Sequence, residues 1–170
     1  MSKIVVISKF SKLLTKKELI QILKLKKTFW PFNLKSQMFF FKKNYYKFDI
    51  NNLLYVNNKL VGYNMLRKRS FFLKKKKRKY YYLDTLIVDK NQRQKKFGSI
   101  LMNLNTLLIQ NSKLHGMLFC RKSALNFYKK FGWKISNNKK IKLEDKNTDL
   151  VKLFFNKKNN IENLRYYICK

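Results

Sequence analysis

Residues 91–100, "NQRQKKFGSI", sit between an apolar run (Leu83 to Val88) and a helix-like run (Ile100 to Leu108). The first turn of a helix leaves backbone N–H groups unpaired, and its dipole makes that end a seat for phosphate. Gln94 to Ser99 would present those amides, and Arg93, Lys95 and Lys96 would add positive charge. Charge alone does not separate a phosphate cradle from a basic turn here, because lysine is everywhere in this chain.

The 170 residues carry 41 Lys and Arg against 8 Asp and Glu, a formal charge of +33. Such a field favours polyanions and phosphorylated small molecules and repels basic peptides. AT-rich coding would also enrich Lys, Asn, Ile, Phe and Tyr, but it would not deplete Glu. Hydrophobic residues make up 45%, with 15 Phe and 10 Tyr, which is enough for a packed core. Cys120, Cys169 and the lone His115 have neither the number nor the spacing of a disulfide framework or a metal site. His115 reads as a turn residue. No apolar run reaches the ~18 residues of a membrane span, and the N-terminus lacks the apolar length of a signal peptide. The expectation is a soluble, cytoplasmic protein of one domain, residues 1–170, with no metal.

The elements that would position the loop follow from periodicity. Residues 3–8 are β-branched and strand-like, and 15–25 read as a helix capped at Thr15 with Leu19, Ile20, Ile22 and Leu23 on one face. An aromatic-rich break, "FWPFNLKSQMFFFKKNYY", precedes a second short helix. Residues 52–68 read as a hairpin turning at Asn57-Asn58. The basic block 74–79 reads as a solvated turn, and 80–88 as a central strand. A helix is expected from Gly98 to Gln110, with Phe97, Ile100, Leu101, Leu104, Leu107 and Leu108 facing inward. Residues 116–120 make a short buried strand. Residues 123–132 make a helix started by Ser123 and ended by Gly132. Residues 141–155 form a last hairpin, with one more strand at 164–168. This order predicts a mixed α/β sheet with helices on it.

Two motifs in this order carry a resemblance. Arg93-Gln94-Lys95-Lys96-Phe97-Gly98 follows an apolar strand with the spacing Arg or Gln, two variable residues, Gly, one variable residue, Gly or Ala. "RKSALNFYKKFGW" places Ala124, Phe127, Tyr128, Gly132 and Trp133 in register with a second signature. With the hairpin before them, residues 52–133 resemble the GNAT N-acetyltransferase superfamily, which implies its mixed sheet with helices on both faces. Lys96 stands where the family has its first Gly. Its Cβ fits if the backbone keeps φ below zero, and otherwise hinders the cofactor's approach. Arg121 stands where the family often has Asn.

The resemblance implies acetyl-CoA as co-substrate. Its pyrophosphate would lie on Arg93, Gln94, Lys95, Lys96, Phe97, Gly98 and Ser99, with Arg121 nearby. Its thioester would lie along Leu86, Ile87 and Val88, where a backbone N–H near Ile87 or Val88 polarises the carbonyl. Tyr128 would protonate the departing thiolate. Asp84 shares a strand face with Tyr82 and Leu86 by alternation. It is the carboxylate nearest that reaction centre and the candidate base, acting through a water. Trp30, Phe32 and Tyr82 would wall the acceptor.

The implied reaction is acetyl transfer to a primary amine of a small acceptor, by direct attack in a ternary complex. The positive field suits an anionic acceptor such as a nucleotide-linked amino sugar, and a homodimer is one assembly open to the chain. The alternative is a catalytically weak GNAT-like protein that binds RNA or another polyanion through its basic face. Its footprint would be the lysines and tyrosines of "KKKKRKYYY".

Overall fold

Strand β1 (Ile4–Phe10) opens the chain in the computed structural model, which describes residues 2–44, 46–73, 76–136 and 150–155. Helix α1 (Lys16–Lys27) follows, started by a reciprocal box at Thr15. The Glu18 N–H donates to Thr15 Oγ1 at 3.2 Å, and the Thr15 N–H donates to Glu18 Oε2 at 2.8 Å. Lys9 Nζ adds a 2.7 Å bond to Glu18 Oε1. Helix α2 (Leu34–Lys43) is capped by Asn33, whose side chain accepts from the Ser36 N–H at 2.8 Å. The helix therefore lies inside the aromatic-rich stretch rather than after it.

Strands β2 (Ile50–Val56) and β3 (Lys59–Leu73) form the predicted hairpin. Its turn residues Asn57 and Asn58 take φ of 48° and 64°, left-handed values that Asn accepts more readily than most residues. Strand β4 (Lys76–Val88) is followed by helix α3 (Phe97–Asn111), strand β5 (His115–Arg121), helix α4 (Leu125–Lys129) and strands β6 (Lys134–Ile135) and β7 (Leu150–Phe155). The sheet has seven strands in the order β1-β2-β3-β4-β5-β7-β6. β4 pairs parallel with β5 from Tyr80↔His115 to Tyr82↔Met117. The described pairings β1–β2, β2–β3, β5–β7 and β6–β7 are antiparallel.

Two compact units divide the chain: Met1–Arg67 with Thr85–Met102, and Lys68–Asp84 with Asn103–Lys170. In the first, Ile22 and Leu25 of α1 pack with Leu53, Leu60, Tyr63, Met65 and Ile87. A second cluster joins Leu54 and Val61 to Phe97 and Leu101 of α3. Alternation along the strands supplies both clusters, so helices cover both sheet faces. A buried polar set runs from the 3-10 turn after β1 to β3: Asn51 Nδ2 donates to Ser11 Oγ at 2.9 Å, and Tyr63 Oη donates to Asn51 Oδ1 at 2.8 Å. In the second unit Phe71, Tyr80, Met117 and Phe154 form the core. Gly116 lies so close under Trp133 and Ile109 that a Cβ would come within 2.8 Å of one and 2.9 Å of the other.

Several expectations change. Of the block 74–79 expected as a turn, Lys76 to Lys79 are exposed strand residues, and 74–75 lie outside the described residues. A strand end open to water carries consecutive lysines without burying charge. His115 begins β5 instead of making a turn. The inward face of α3 is Phe97, Leu101, Met102, Asn105 and Ile109, while Leu107 is exposed. Ser123 does not cap a helix: residues 122–124 form a 3-10 turn, and α4 starts at Leu125. Gly132 does end that region, at φ 79°. β6 was not anticipated. The expected hairpin at 141–155 is described only at β7, and both the strand at 164–168 and Cys169 lie outside the described residues.

Candidate active site

The loop after β4 is built from its first residue upward. Asp89 Oδ1 accepts from the Asn91 N–H at 3.0 Å, which starts a 3-10 turn over Lys90–Gln92. Gln94 and Lys96 then take φ of 66° and 60°. The Lys96 carbonyl accepts from the Ile100 N–H at 3.1 Å, the first bond of α3. The N–H groups from Gln94 to Ser99 have no backbone or side-chain acceptor among the described residues. No acidic side chain lies in the first turn of α3 to compete for that end. The unpaired N–H groups and the dipole of the helix end leave this stretch open to an anion.

Lys96 therefore does not keep φ below zero. It occupies the left-handed position that glycine takes without cost, and its Cβ is under strain there. Arg93 holds its guanidinium carbon 5.1 Å from the centroid of the Phe29 ring, a cation–π contact that anchors the loop to the end of α1. Lys95 Nζ donates to Gln92 Oε1 at 3.0 Å. Gln94, Lys95 and Lys96 are exposed, and Gly98 and Ser99 half-buried. A shallow depression of about 470 Å³ among Lys24, Thr28, Asn57, Lys59 and Asp89 holds none of the predicted site residues.

Along β4, Leu83, Thr85 and Ile87 are buried, while Tyr82, Asp84, Leu86 and Val88 are half-buried, as the alternation requires. The Tyr82 ring packs edge-on against Phe119 at 6.2 Å. Tyr128, on α4, is half-buried and edge-on to Phe127 at 5.2 Å. Burial, and then the nearby Cys120, push its phenol up to about 12. Burial also raises the Cys120 thiol. Both groups keep their protons at neutral pH. Sequence reasoning gave Cys120 no role and passed over Phe29; only the fold reveals what each touches. Arg121 is exposed at the end of β5.

Trp30 and Phe32 stand open to solvent, with Lys26 Nζ 5.7 Å from the centroid of the Trp30 ring. They form no wall. Tyr80 and Tyr81 are buried in the sheet, which removes two of the three rings proposed as an RNA footprint. No group of three or more metal-ligating side chains occurs among the described residues. None of their helices is long and apolar enough to cross a membrane.

Residues 19–133 match the model of the acetyltransferase (GNAT) family. No curated protein sequence matches. Among solved structures, Escherichia coli ElaA superposes with a TM-score of 0.68 at 16% identity, covering 89% of this chain and 99% of that one. An acyl-CoA N-acyltransferase from Pseudomonas aeruginosa gives 0.63 at 15% identity, covering 89% and 97%. The E. coli ribosomal-protein-S18-alanine N-acetyltransferase gives 0.59 at 15% identity, covering 91% of each chain. At such identities the structures speak for the fold, and the family match spans well over half the chain. The chain belongs to the GNAT acetyltransferase family.

Proposed function

We propose that this acyltransferase moves an acetyl group from acetyl-CoA to a primary amine of a small, anionic acceptor, a nucleotide-linked amino sugar being the type that suits its charge. The observation that carries the reading is the row of unpaired N–H groups from Gln94 to Ser99, opened by two left-handed residues. These amides fit a pyrophosphate, Lys95 is assigned to it as a charge-assisted partner, and the exposed Lys96 adds only to the positive field beside it. Arg93 contributes by fixing the loop on Phe29.

In the proposed step the neutral amine attacks the acetyl carbon. An N–C bond forms, the C–S bond breaks, and the sulfur departs with the electron pair. β4 continues through Leu86, Ile87 and Val88, beyond the end of its register with β5, and a backbone N–H there is assigned to the developing oxyanion. Asp84, half-buried on the same strand, is assigned to the amine's proton through a water. Tyr82, on the same face, is assigned to the acceptor.

Tyr128 takes a modified role. A phenol near 12 is a poor acid toward a thiolate whose conjugate acid ionises near ~8.5. Complete transfer would be uphill by roughly 5 kcal/mol. A hydrogen bond from the phenol to the leaving sulfur stabilises its charge without that transfer, and bulk water completes the protonation.

Thermal unfolding with ligand tests the cradle. Acetyl-CoA and free CoA at millimolar concentration and low salt should raise the melting temperature, and pantetheine, which lacks the pyrophosphate, should do much less. No shift with any of the three would refute the reading.

A further inference from the structure

Helix α2 packs Phe41 against the core of the first unit but turns its other two rings outward. The residue it buries is Gln37, whose Nε2 donates to the carbonyls of Trp30 and Phe32 at 3.4 and 3.1 Å. Phe39 and Phe40 are instead 70% and 54% exposed, and in the approach to the helix Phe32 is 61% and Trp30 41% exposed. At ~100° per residue, Phe39 and Phe40 straddle Ser36 and Lys43 on the side opposite Met38 and Phe41. Rings left in water on a helix that buries an amide mark a face made for something else. Its charge is uniform: every charged residue between Glu18 and Asp49 in the sequence is a lysine.

We propose that this face docks on an anionic lipid bilayer, with Phe32, Phe39 and Phe40 entering the boundary between headgroups and acyl chains. Lys35, Lys42 and Lys43 would then lie at the level of the lipid phosphates. Helices that lie in the interface combine protruding rings with flanking lysines in this way, and the lysine stems extend so that the ammonium groups stay wet. A second copy of the chain fits poorly, because two all-lysine faces repel. Single-stranded nucleic acid fits less well than lipid. Stacking needs open ring faces along a groove, whereas Lys26 sits over the Trp30 ring. This docking stands whether or not the chain transfers acetyl groups.

The two tryptophans give the readout, since Trp133 is 1% exposed and Trp30 lies on the proposed face. The full chain would be titrated with vesicles of phosphatidylglycerol and phosphatidylcholine, with and without brominated acyl chains. The expected result is a blue shift and quenching of Trp30 emission by brominated lipid, absent with pure phosphatidylcholine. The double substitution Phe39→Ser with Phe40→Ser should weaken binding about tenfold or more, as losing two buried rings requires. Its circular dichroism should be unchanged, because both rings are exposed.

Vesicle binding without quenching, or undiminished in the folded double variant, would mean attraction by charge alone and overturn the proposal. So would Phe39- and Phe40-dependent binding of a single-stranded RNA oligomer, or a dimer by light scattering, where vesicles leave Trp30 unchanged. The quenching of the parent protein decides the matter even if the double variant fails to fold.

Discussion

Replacing Lys96 with Gly should stabilise this protein, although it removes a side chain. Lys96 holds φ at 60°, where an L residue with a Cβ costs about 1–2 kcal/mol relative to ordinary backbone. Glycine escapes that cost but gives up about 0.5–1 kcal/mol through its freer unfolded chain. Lys96 is exposed and its side chain has no partner among the described hydrogen bonds and ion pairs, so little packing is lost. The net gain is about 0.5–1 kcal/mol, a rise in melting temperature of about 1–4 °C for a chain of this size. Lys96→Ala is the control, since it removes the charge and keeps the strain; it should show no such gain. Urea unfolding of the three proteins measures the difference. Calorimetric titration with CoA at low salt then asks what the lysine does for binding. An exposed cation beside phosphate contributes up to about 1 kcal/mol, while glycine lets the backbone approach more closely. Affinity for the Gly variant should be equal or higher. A tenfold loss of affinity would show that Lys96 has become a phosphate ligand, and a loss of stability would refute the strain argument.

Tyr128→Phe removes one hydrogen-bond donor to the developing charge and should lower turnover by roughly 10²-fold on an authentic acceptor, with CoA affinity and melting temperature nearly unchanged; a parental rate would remove Tyr128 from the mechanism. The folded value of its phenol, about 12, lies above its ordinary 10.0. The stability this group lends is therefore fully present below pH 10 and lost as pH rises through about 12. A difference titration of phenolate absorbance, parent minus Tyr128→Phe, should show one tyrosine ionising that late. Gly116→Ala pushes a Cβ against Trp133 and Ile109 and should cost about 1–3 kcal/mol in urea unfolding. Burial tends to raise Glu18, but bonds from Lys9 and Thr15 outweigh it and hold the carboxyl below its ordinary 4.5. Its contribution is present above pH 4.5 and lost as pH falls through the folded value, so Glu18→Gln should flatten the acid limb of a stability–pH curve.

The hairpin and the loop before α3 were legible because their signals are local: Asn57-Asn58 names its own turn, and "RQKKFG" sits between a strand and a helix. α3 was legible as a helix but not in its facing. Nearly every residue from Ile100 to Ile109 is apolar apart from Asn103, Asn105 and Thr106. Periodicity then has nothing to select, and the fold buries Asn105 while exposing Leu107. α2 was hidden by its phenylalanines, which do not repeat at helical spacing on a buried side. The strain at Lys96 was invisible, since a sequence records which residue stands at a position but not its φ. So was the closeness of Cys120 to Tyr128, which two elements joined by a 3-10 turn bring about.

The interleaving of the two units has a consequence for how the chain leaves the ribosome. The first unit is completed only by Thr85–Met102, after the detour of Lys68–Asp84. Until that return, Leu53, Leu60 and Tyr63 lack Ile87, and Leu54 and Val61 lack Phe97 and Leu101. At ~5–20 residues per second, the hairpin waits some seconds with α1 on one face and the other face uncovered. No single cut releases either unit whole. A fragment ending at Asp84 would carry β1, α1, α2 and the hairpin with neither of their two clusters complete, and its exposed leucines would be targets for chaperones before they were a core.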